Sequence, residues 1–364
     1  MNILIDGYWW AEGPISNRMV LHEIVQRWKL DYPDDRIIIA VPGEANTSAP
    51  VPDGVETART RLRVHPAINF LELPVIARRR GADGILAFNF AANSTAGVVF
   101  LHDVLFQSNP EWFTRIERLY FGLMPRLARR ASTVIATSQS ELGRIRRYNP
   151  RLRRVVSSGL SVASALSTAE PTDPGLGLVS GEYLLCVGRL NVRKNLAVTL
   201  RAALRSGTLS KDFPLVVVGE PSGRITRLDA DCQSAVAAGK LRIVERVSDS
   251  HLKWLYTHCA LFVCLSLDEG FGLPVVEAAT LGCRVLASDI PVFRETIGRH
   301  GTFVDALDVD GIADAIRTIV GQQLTPATAE YRQAHTWSSV CAAIRSELAQ
   351  GRSRAHELAV NPSP

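Results

Sequence analysis

The sequence predicts an α/β protein made of two doubly wound, Rossmann-like domains. Short apolar runs rich in valine, isoleucine and leucine alternate with longer segments of helical period, which is typical of the strand–helix units that build a parallel sheet. The length of 364 residues is more than one hydrophobic core usually serves. Residues 167–181 are rich in proline, glycine, serine and threonine, and they predict a linker between the two domains.

The pattern divides the chain into five parts. We predict a first domain at residues 1–166, the linker at 167–181, a second domain at 182–335 and a last helix at 336–350. Residues 351–364 show no periodicity, so we expect a disordered tail there.

Composition narrows the class of protein. A hydrophobic fraction of 46% with 21% charged residues is typical of a globular protein. No apolar run approaches the length of a membrane span, and the first seven residues predict a strand instead of a signal peptide. The six cysteines lie mostly in apolar runs without Cys-x-x-Cys spacing, which disfavours structural zinc and a disulfide framework. We therefore expect a cytoplasmic protein.

The first half predicts six strands and four helices. The strands are expected at residues 3–5, 36–41, 62–64, 84–87, 97–101 and 133–136. Helices are expected at residues 15–30, before Gly81 and at residues 110–130. A fourth opens at Ser138, where the Ser138-x-x-Glu141 pattern matches a capping box.

Two positions of this half are site candidates. Gly13 lies in the loop between the first strand and the first helix. Two interpretations of this loop are possible: it borders a ligand crevice, or it is a plain connection packed by Trp9 and Trp10. His102 and Asp103 end the strand at 97–101. A histidine there can donate to a sugar hydroxyl, whereas Asp103 is better explained as a cap or turn residue.

The second half opens with a strand at 183–187 that runs into a basic loop. Gly188 ends the strand, and Arg189 and Lys194 flank the loop before a helix from Leu196. Two cations so placed could bind a diphosphate, because arginine can make two parallel hydrogen bonds to a phosphate and lysine adds a compact positive charge. The alternative is a solvated basic loop.

A second stretch, residues 268–278, carries two carboxylates. Glu269 and Glu277 are separated by Gly270, Phe271, Gly272 and Leu273, and then by a helix start at Pro274. The apolar run 260–267 before it predicts a buried strand. We expect Pro274 at the first helical position, Glu277 in the first turn and Gly282 at the helix end. Glycines admit a ligand close to the backbone, helix N–H groups favour an anion, and carboxylates accept hydrogen bonds from hydroxyls. The alternative is that Glu269 is a solvated acid of the loop and that Glu277 only complements the helix dipole.

This stretch and its continuation at 282–289 and 295–298 resemble the E-x7-E signature of the retaining nucleotide-sugar glycosyltransferases of family four, also called glycosyltransferase group 1. Arg189 and Lys194 resemble the second motif of that family. The resemblance implies the GT-B architecture, in which two domains face across a cleft and the last helix crosses back to the first domain. It also implies that the second domain binds the nucleotide-sugar and the first domain most of the acceptor.

The resemblance assigns roles to the candidate residues. It implies that Glu269 holds sugar hydroxyls and Glu277 the ribose diol, while Arg189 and Lys194 hold the donor phosphates. The loop N–H groups from Gly270 to Leu273 would stabilise the developing phosphate charge. The leaving phosphate would take the acceptor proton, so no protein base is required.

The resemblance implies roles for three further positions, which correspond by their place in the family's pattern. The backbone near Val247 would read the base, and Gly13 corresponds to a glycine-rich loop near the diphosphate and acceptor, although this chain has one glycine there where many members have two. His102 resembles the histidine that borders the sugar in members transferring mannose or related hexoses. We therefore expect GDP-mannose as donor and a saccharide or lipid-linked saccharide of cell-surface polysaccharide as acceptor.

We expect no essential metal and no cofactor. The pairs Asp229/Asp231 and Asp308/Asp310 have Asp-x-Asp spacing, but the first lies in a predicted helix and the second precedes one, so both are interpreted as surface or capping acids. Asp249 is interpreted as a helix cap. A phosphorylase is disfavoured because no lysine anchor for pyridoxal phosphate is evident, whereas a catalytically silent sugar-nucleotide-binding partner subunit stays open.

Arginines accumulate between residues 126 and 154. They could meet an anionic membrane, or they could form a solvated helix face. Nucleic acid is not expected as a partner, because no basic motif interleaved with aromatic residues occurs.

Overall fold

The computed structural model describes residues 1–43, 50–220, 230–320 and 336–360. The chain forms two compact units. The first contains Met1–Ser108, Arg115–Leu160 and Thr336–Pro364, and the second contains Asn109–Thr114 and Ser161–His335. The units therefore separate at residues 160 and 161, before the predicted linker, and residues 109–114 of the first half join the second unit.

A parallel sheet forms the centre of the first unit. Its strands, within the described residues, are β1 (Asn2–Asp6), β2 (Arg36–Pro42), β3 (Glu56–Thr60), β4 (Gly84–Phe88), β5 (Gly97–Leu101), β6 (Thr133–Ala136) and β7 (Val155–Ser157). They are ordered β3-β2-β1-β4-β5-β6-β7. Strands β4 and β5 are buried along their whole length, as expected for a sheet covered on both faces.

Helices surround this sheet and close the unit. They are α1 (Ile15–Asp31), α2 (His65–Ala67), which continues through a π-helical turn (Ile68–Glu72) into α3 (Leu73–Arg80), then α4 (Leu105–Ser108), α5 (Arg115–Phe121), α6 (Leu123–Ala128) and α7 (Gln139–Tyr148). Ser138 caps α7, because its hydroxyl accepts the N–H of Glu141 at 2.9 Å, which confirms this half of the predicted capping box.

Two predictions for residues 1–160 of this unit are wrong. The third strand lies at Glu56–Thr60 and not at residues 62–64. Among the described strands it pairs only with β2, and only Ala58 and Thr60 of this edge strand are buried, so it lacks the apolar run by which the other strands were predicted. The predicted helix 110–130 is broken into a 3-10 turn (Pro110–Trp112), α5 and α6, because Phe113 adopts an extended backbone and Gly122 interrupts the last two.

The second unit has a parallel sheet with the same winding. Its strands among the described residues are β8 (Leu184–Val187), β9 (Leu215–Val218), β10 (Leu241–Val244), β11 (Leu261–Cys264), β12 (Val285–Ser288) and β13 (Thr302–Val304). They are ordered β10-β9-β8-β11-β12-β13. The first strand of the unit thus lies beside the fourth, which is the strand order of the Rossmann fold.

The helices of this unit lie between successive strands, except that the first precedes β8 and the last follows β13. They are α8 (Ser164–Thr168), α9 (Leu196–Arg205), α10 (Ala230–Ala237), α11 (Asp249–His258), α12 (Leu273–Thr280), α13 (Pro291–Thr296) and α14 (Val309–Ile319), with 3-10 turns at Val192–Lys194 and Gly298–His300. One apolar core joins α9 and α14 to the sheet through Leu200, Val217, Val263 and Ile316.

The last helix, α15 (Trp337–Val360), belongs to the first unit. Its Arg345 pairs with Asp35 at 2.7 Å, and its Glu347 accepts hydrogen bonds from Thr133 at 3.0 Å and from Arg154 at 2.7 Å. The helix continues ten residues beyond the predicted end at residue 350, so the expectation of a disordered tail is wrong for residues 351–360; residues 361–364 lie outside the described part.

Candidate active site

The predicted donor residues gather where β8 and β11 end. These strands pair directly, with Leu184 opposite Leu261, and the connections leave them toward opposite sides of the sheet, because β9 and β10 lie beyond β8 while β12 and β13 lie beyond β11. This is the topological switch point, outside whose strand ends open α/β sheets bind ligands. The basic loop follows β8, and the glutamate stretch follows β11.

The basic loop folds closely over its own glycine. Gly188 has a φ of +143°, and a Cβ placed on it would lie 2.9 Å from Cε of Lys194. A Cβ on Gly219, at the end of β9, would lie 1.9 Å from the carbonyl oxygen of Gly188. Neither position can carry a side chain without moving the backbone or the lysine, so both glycines set the path of the loop.

Glu269 is clamped between two cations. Its Oε1 lies 2.6 Å from Nζ of Lys194, and its Oε2 contacts Nη1 of Arg193. The side chain is 6% exposed. Burial alone raises the pKa of Glu269, but the charges of Arg193 and Lys194 outweigh it and hold this pKa at about 2. The carboxylate is therefore ionised and fixed, with further lone pairs that can accept hydrogen bonds from hydroxyls.

Arg193 was not predicted as a site residue. Its carbonyl accepts the N–H of Leu267 at 2.8 Å, so backbone and side chain together tie the basic loop to the glutamate stretch. The sequence contained one signal, namely a third cation beside Lys194. Arg189, which was predicted, is partly buried in the same loop, and its carbonyl accepts the N–H of Asn191 at 2.9 Å.

The glutamate stretch turns sharply into α12. Gly272 has a φ of +87°, and a Cβ there would lie 2.5 Å from the Phe293 ring, while Gly270 and Phe271 are buried. The helix begins at Leu273, one residue before the predicted start, so Pro274 is its second residue. Gly282 follows the helix end with a φ of +83°, which confirms the predicted stop.

Glu277 lies in the second turn of α12 and not in the first, because of this earlier start. The hydroxyl of Tyr256, on α11, donates to its Oε2 at 2.8 Å. Burial holds the pKa of Glu277 above its ordinary value, although the Tyr256 hydrogen bond and the charge of Lys194 act in the opposite direction. Tyr256 is a second residue that the sequence analysis missed.

Val247 lies at the same sheet edge, in the loop between β10 and α11. The helix cap beside it is Ser248, whose hydroxyl accepts the N–H of His251 at 3.2 Å. Asp249, which was predicted as the cap, is the first residue of the helix.

The first unit holds the other predicted residues. His102 follows β5; its ring packs against Phe100 with 5.4 Å between ring centroids, and its carbonyl accepts the Thr137 hydroxyl at 3.0 Å. Asp103 accepts the N–H of Leu105 at 3.2 Å, as expected of a turn residue. Gly13 has a φ of +119°, and its Cα faces Trp9, whose ring would lie 2.1 Å from a Cβ. The structure therefore shows a packing role for Gly13, and a ligand role stays a prediction.

A buried polar cluster that the sequence did not predict lies in this unit, at the end of β1. Oδ2 of Asp6 accepts hydrogen bonds from His65 and from Asn69, both at 2.7 Å, and from the N–H of Phe88 at 3.1 Å. Burial raises the pKa of Asp6, but His65 and these hydrogen bonds lower it below its ordinary value. The ring of Tyr8 stacks on His65 at 4.2 Å. The cluster fixes the loop after β1 beside β4.

The described residues of the Asp-x-Asp pairs lie in helices or at a helix cap. Asp308 caps α14 by accepting the N–H of Gly311 at 3.0 Å, and Asp310 pairs with Arg205. Asp231 lies in α10, and Asp229 lies outside the described residues. Within the described residues, no three histidine, cysteine or acidic side chains are grouped as a metal would require.

Among the helices of the described ranges, none combines the length and the apolar character that crossing a membrane demands.

Comparison with known proteins matches part of the chain to a family. Residues 177–335 match the family model described as glycosyl transferases group 1. The chain is 30% identical over 226 residues to the O-antigen chain mannosyltransferase B of Escherichia coli, with 59% of each chain covered. It is 27% identical over 233 residues to the GDP-mannose:cellobiosyl-diphosphopolyprenol alpha-mannosyltransferase of Xanthomonas campestris, covering 62% of this chain and 58% of that protein. The match thus spans less than two thirds of these relatives.

Solved structures agree over nearly the whole chain. Sucrose-phosphate synthase from Thermosynechococcus elongatus aligns with a TM-score of 0.65 at 17% identity, over 99% of this chain and 100% of that one. Anabaena Alr3699/HepE, solved with UDP and glucose, aligns with a TM-score of 0.63 at 18% identity, over 96% and 99%. At such identities the likeness shows the fold, which is the predicted GT-B pair of Rossmann-like sheets. Residues 177–335 are thus the part of the chain that is similar to the glycosyl transferases of group 1.

Proposed function

We propose that this protein transfers a mannosyl residue from GDP-mannose to a saccharide or lipid-linked saccharide, with retention of anomeric configuration and without an essential metal or cofactor. The observation that carries the proposal is the ionised Glu269, held between Lys194 and Arg193 at the switch point of the second sheet. The names of the relatives, a mannosyltransferase of O-antigen chains and a GDP-mannose-dependent enzyme, support the donor.

The second unit carries the donor chemistry in this proposal. Glu269 accepts hydrogen bonds from the hexose hydroxyls, and Glu277, positioned by Tyr256, accepts them from the ribose diol. Lys194 and Arg189 stabilise the charge that develops on the diphosphate as the anomeric carbon loses it, a contribution that preorganised charges make in many enzymes. The loop N–H groups from Gly270 to Leu273 act on the same oxygens, and the backbone near Val247 contacts the base.

The acceptor proton leaves with the donor phosphate. The acceptor hydroxyl attacks the anomeric carbon on the face from which the phosphate departs, and a phosphate oxygen takes the hydroxyl proton. No side chain has to act as base, which fits a Glu269 whose pKa of about 2 makes it a poor proton acceptor at neutral pH. His102 borders the sugar in this proposal.

The protein acts at the cytoplasmic face of a membrane on acceptors of cell-surface polysaccharide. The diphosphopolyprenol acceptor in the name of the Xanthomonas relative supports a lipid-linked substrate, and the arginines between residues 126 and 154 support peripheral contact with anionic lipid.

A thermal-shift panel of nucleotides and nucleotide-sugars with a chelator present tests the donor. A ligand at a hundred times its Kd adds about 2.7 kcal/mol of stability, so GDP and GDP-mannose should raise the melting temperature of the wild type and raise that of Glu277→Ala less. Transfer from GDP-mannose to a mannose-terminated acceptor, followed by NMR of the new linkage, tests the reaction. Binding without turnover on any acceptor favours the silent partner subunit, and no response to any nucleotide contradicts the proposal.

A further inference from the structure

The segment formed by α5 and α6 exposes an apolar strip. Ile116 is 81% exposed, Leu119 is 79% exposed and Leu123 is 36% exposed. They follow a spacing of three and four residues, and the helical path continues across the break at Gly122, whose N–H donates to the carbonyl of Arg118 at 2.9 Å. The three side chains therefore lie on one face. We call this the outer face.

The opposite side of the same segment is packed into the first unit. Met124 and Ala128 are buried, the ring of Phe121 lies 5.7 Å from that of Phe106, and the ring of Tyr120 lies 5.0 Å from that of Phe90. Core packing thus explains the apolar residues of the inner side and leaves those of the outer face without a role. Large apolar side chains on an exposed face indicate an interaction surface.

Positive charge surrounds the outer face. Between residues 115 and 130 the sequence has five arginines against one glutamate. All five arginines are exposed: Arg115, Arg118, Arg126, Arg129 and Arg130. Apolar side chains flanked by arginine are typical of helices that lie in the interface of a membrane, where the apolar groups enter the acyl boundary and the guanidinium groups meet anionic headgroups.

We propose that the outer face of α5 and α6 docks the first unit on an anionic lipid surface, with Ile116 and Leu119 inserted among the lipids. The charge of the face selects this occupant over a second copy of the chain, because two copies would bring five arginines against five. The inference deepens the proposed membrane contact by naming the element that makes it, and the lipid binding itself does not depend on the transfer reaction.

Cosedimentation of the full chain with vesicles tests the surface. Wild type should sediment with vesicles of phosphatidylglycerol and phosphatidylcholine at low salt, and less with phosphatidylcholine alone. The double variants Ile116→Ser/Leu119→Ser and Arg115→Gln/Arg118→Gln should each lower the partition coefficient by about tenfold or more. Leu30→Ser is the matched control, because Leu30 is 72% exposed on α1 of the same unit, and it should bind like wild type.

Other results overturn the inference. The inference is wrong if wild type fails to sediment with anionic vesicles at low salt. It is also wrong if the Ile116→Ser/Leu119→Ser variant binds the vesicles like wild type. A third is loss of binding in Val75→Ser alone, which would assign the contact to α3 and its arginines instead. Light scattering that finds a dimer broken by the Ile116→Ser/Leu119→Ser change assigns the face to a second copy.

Transfer to a short water-soluble acceptor separates this inference from the proposed function. It should be unchanged in the outer-face variants, since none of these side chains belongs to the donor site. If no variant and no wild type transfers mannose, while vesicle binding depends on the outer face, the surface stands and the proposed function fails.

Discussion

Nζ of Lys194 and Oε1 of Glu269 are 2.6 Å apart, although 75 residues separate them in the chain. The contact joins the loops that follow two neighbouring strands, β8 and β11. These loops meet because the carboxyl ends of parallel strands lie on the same side of the sheet. The contact also means that Lys194 already has a carboxylate partner, whose single charge it shares with Arg193. A diphosphate must therefore share this lysine with Glu269, and its binding is coupled to the position of the carboxylate that would hold the sugar.

Replacing Glu269 by glutamine should impair transfer far more than nucleotide binding. The amide keeps the shape but lacks the charge, so Arg193 and Lys194 are left as an unbalanced pair of cations that still attracts a diphosphate. We expect kcat to fall on the order of 10²–10³-fold, while calorimetry gives a Kd for GDP no weaker than that of wild type. Glu245→Gln, at an exposed acid of the same unit, is the control. An unchanged kcat would remove Glu269 from the reaction.

Replacing Arg193 by glutamine should move the acid limb of the rate profile to higher pH. Burial raises the pKa of Glu269, and Arg193 is the first of the two charges that bring it to about 2. Without Arg193 the pKa rises, so a larger fraction of Glu269 is protonated between pH 4 and about 6. Its kcat/KM should therefore decline in that range while wild type does not, and Arg193→Lys should restore most of the difference. If wild type and Arg193→Gln have the same acid limb, the charge of Arg193 does not control the protonation of Glu269.

The sequence predicted the buried parts of the fold best. Strands β5 and β6 have the predicted ends because each is a fully buried run of mostly apolar residues. The edge strand β7 was missed and β3 was misplaced, because an edge strand with one buried face needs few apolar residues. A continuous apolar run predicts a strand that is buried on both faces, and an edge strand lacks such a run.

The site was predicted in part for a related reason. Glu269 and Lys194 belong to motifs whose spacing is visible in the chain, whereas Tyr256 reaches Glu277 from another helix, and Asn69 reaches Asp6 across 63 residues. Neither partner differs in sequence from an ordinary helical residue. Only the tertiary structure brings them together, so no local pattern could have predicted them.

Replacing Tyr256 by phenylalanine should weaken nucleotide binding below neutral pH. The hydroxyl hydrogen bond lowers the pKa of Glu277, while burial raises it. Its loss leaves burial less opposed, so the pKa rises further and the carboxylate is protonated at a higher pH. The phenylalanine ring keeps the packing against Phe262, which lies 5.4 Å away. The Kd for GDP should increase about fivefold to tenfold at pH 5.5 and less at pH 8, as measured by calorimetry. Equal losses at both values would assign Tyr256 a purely structural role.

Replacing Arg345 by glutamine should destabilise the first unit above pH 4. Asp35 is buried, which raises its pKa, but Arg345, the amino group of Met1 and Trp28 hold it at about 2, below its ordinary value of 3.8. A carboxyl with a lowered folded-state pKa contributes stability above its unfolded pKa and loses it as the pH falls through about 2. Arg345 is 37% exposed, so we expect a loss of about 1 kcal/mol. Urea unfolding should show a larger difference at pH 7 than at pH 2.5, where part of the stabilisation is already lost; Arg317→Gln, at an exposed pair of the second unit, should show no difference at either pH.

Replacing Gly219 by alanine should damage the donor site without touching a predicted donor residue. The new Cβ would lie 1.9 Å from the carbonyl oxygen of Gly188, so the end of β8 must move, and with it the loop that carries Lys194. Because backbone is the obstacle, the clash cannot be relieved by a side-chain rotation. We expect a loss of stability of about 1–3 kcal/mol and a GDP affinity lowered by at least about tenfold, from melting curves and calorimetry. Gly143→Ala, in helix α7 with no atom within 4 Å of the new Cβ, should be neutral or stabilising. A Gly219→Ala protein that binds GDP like wild type would show that the path of this loop does not determine donor binding.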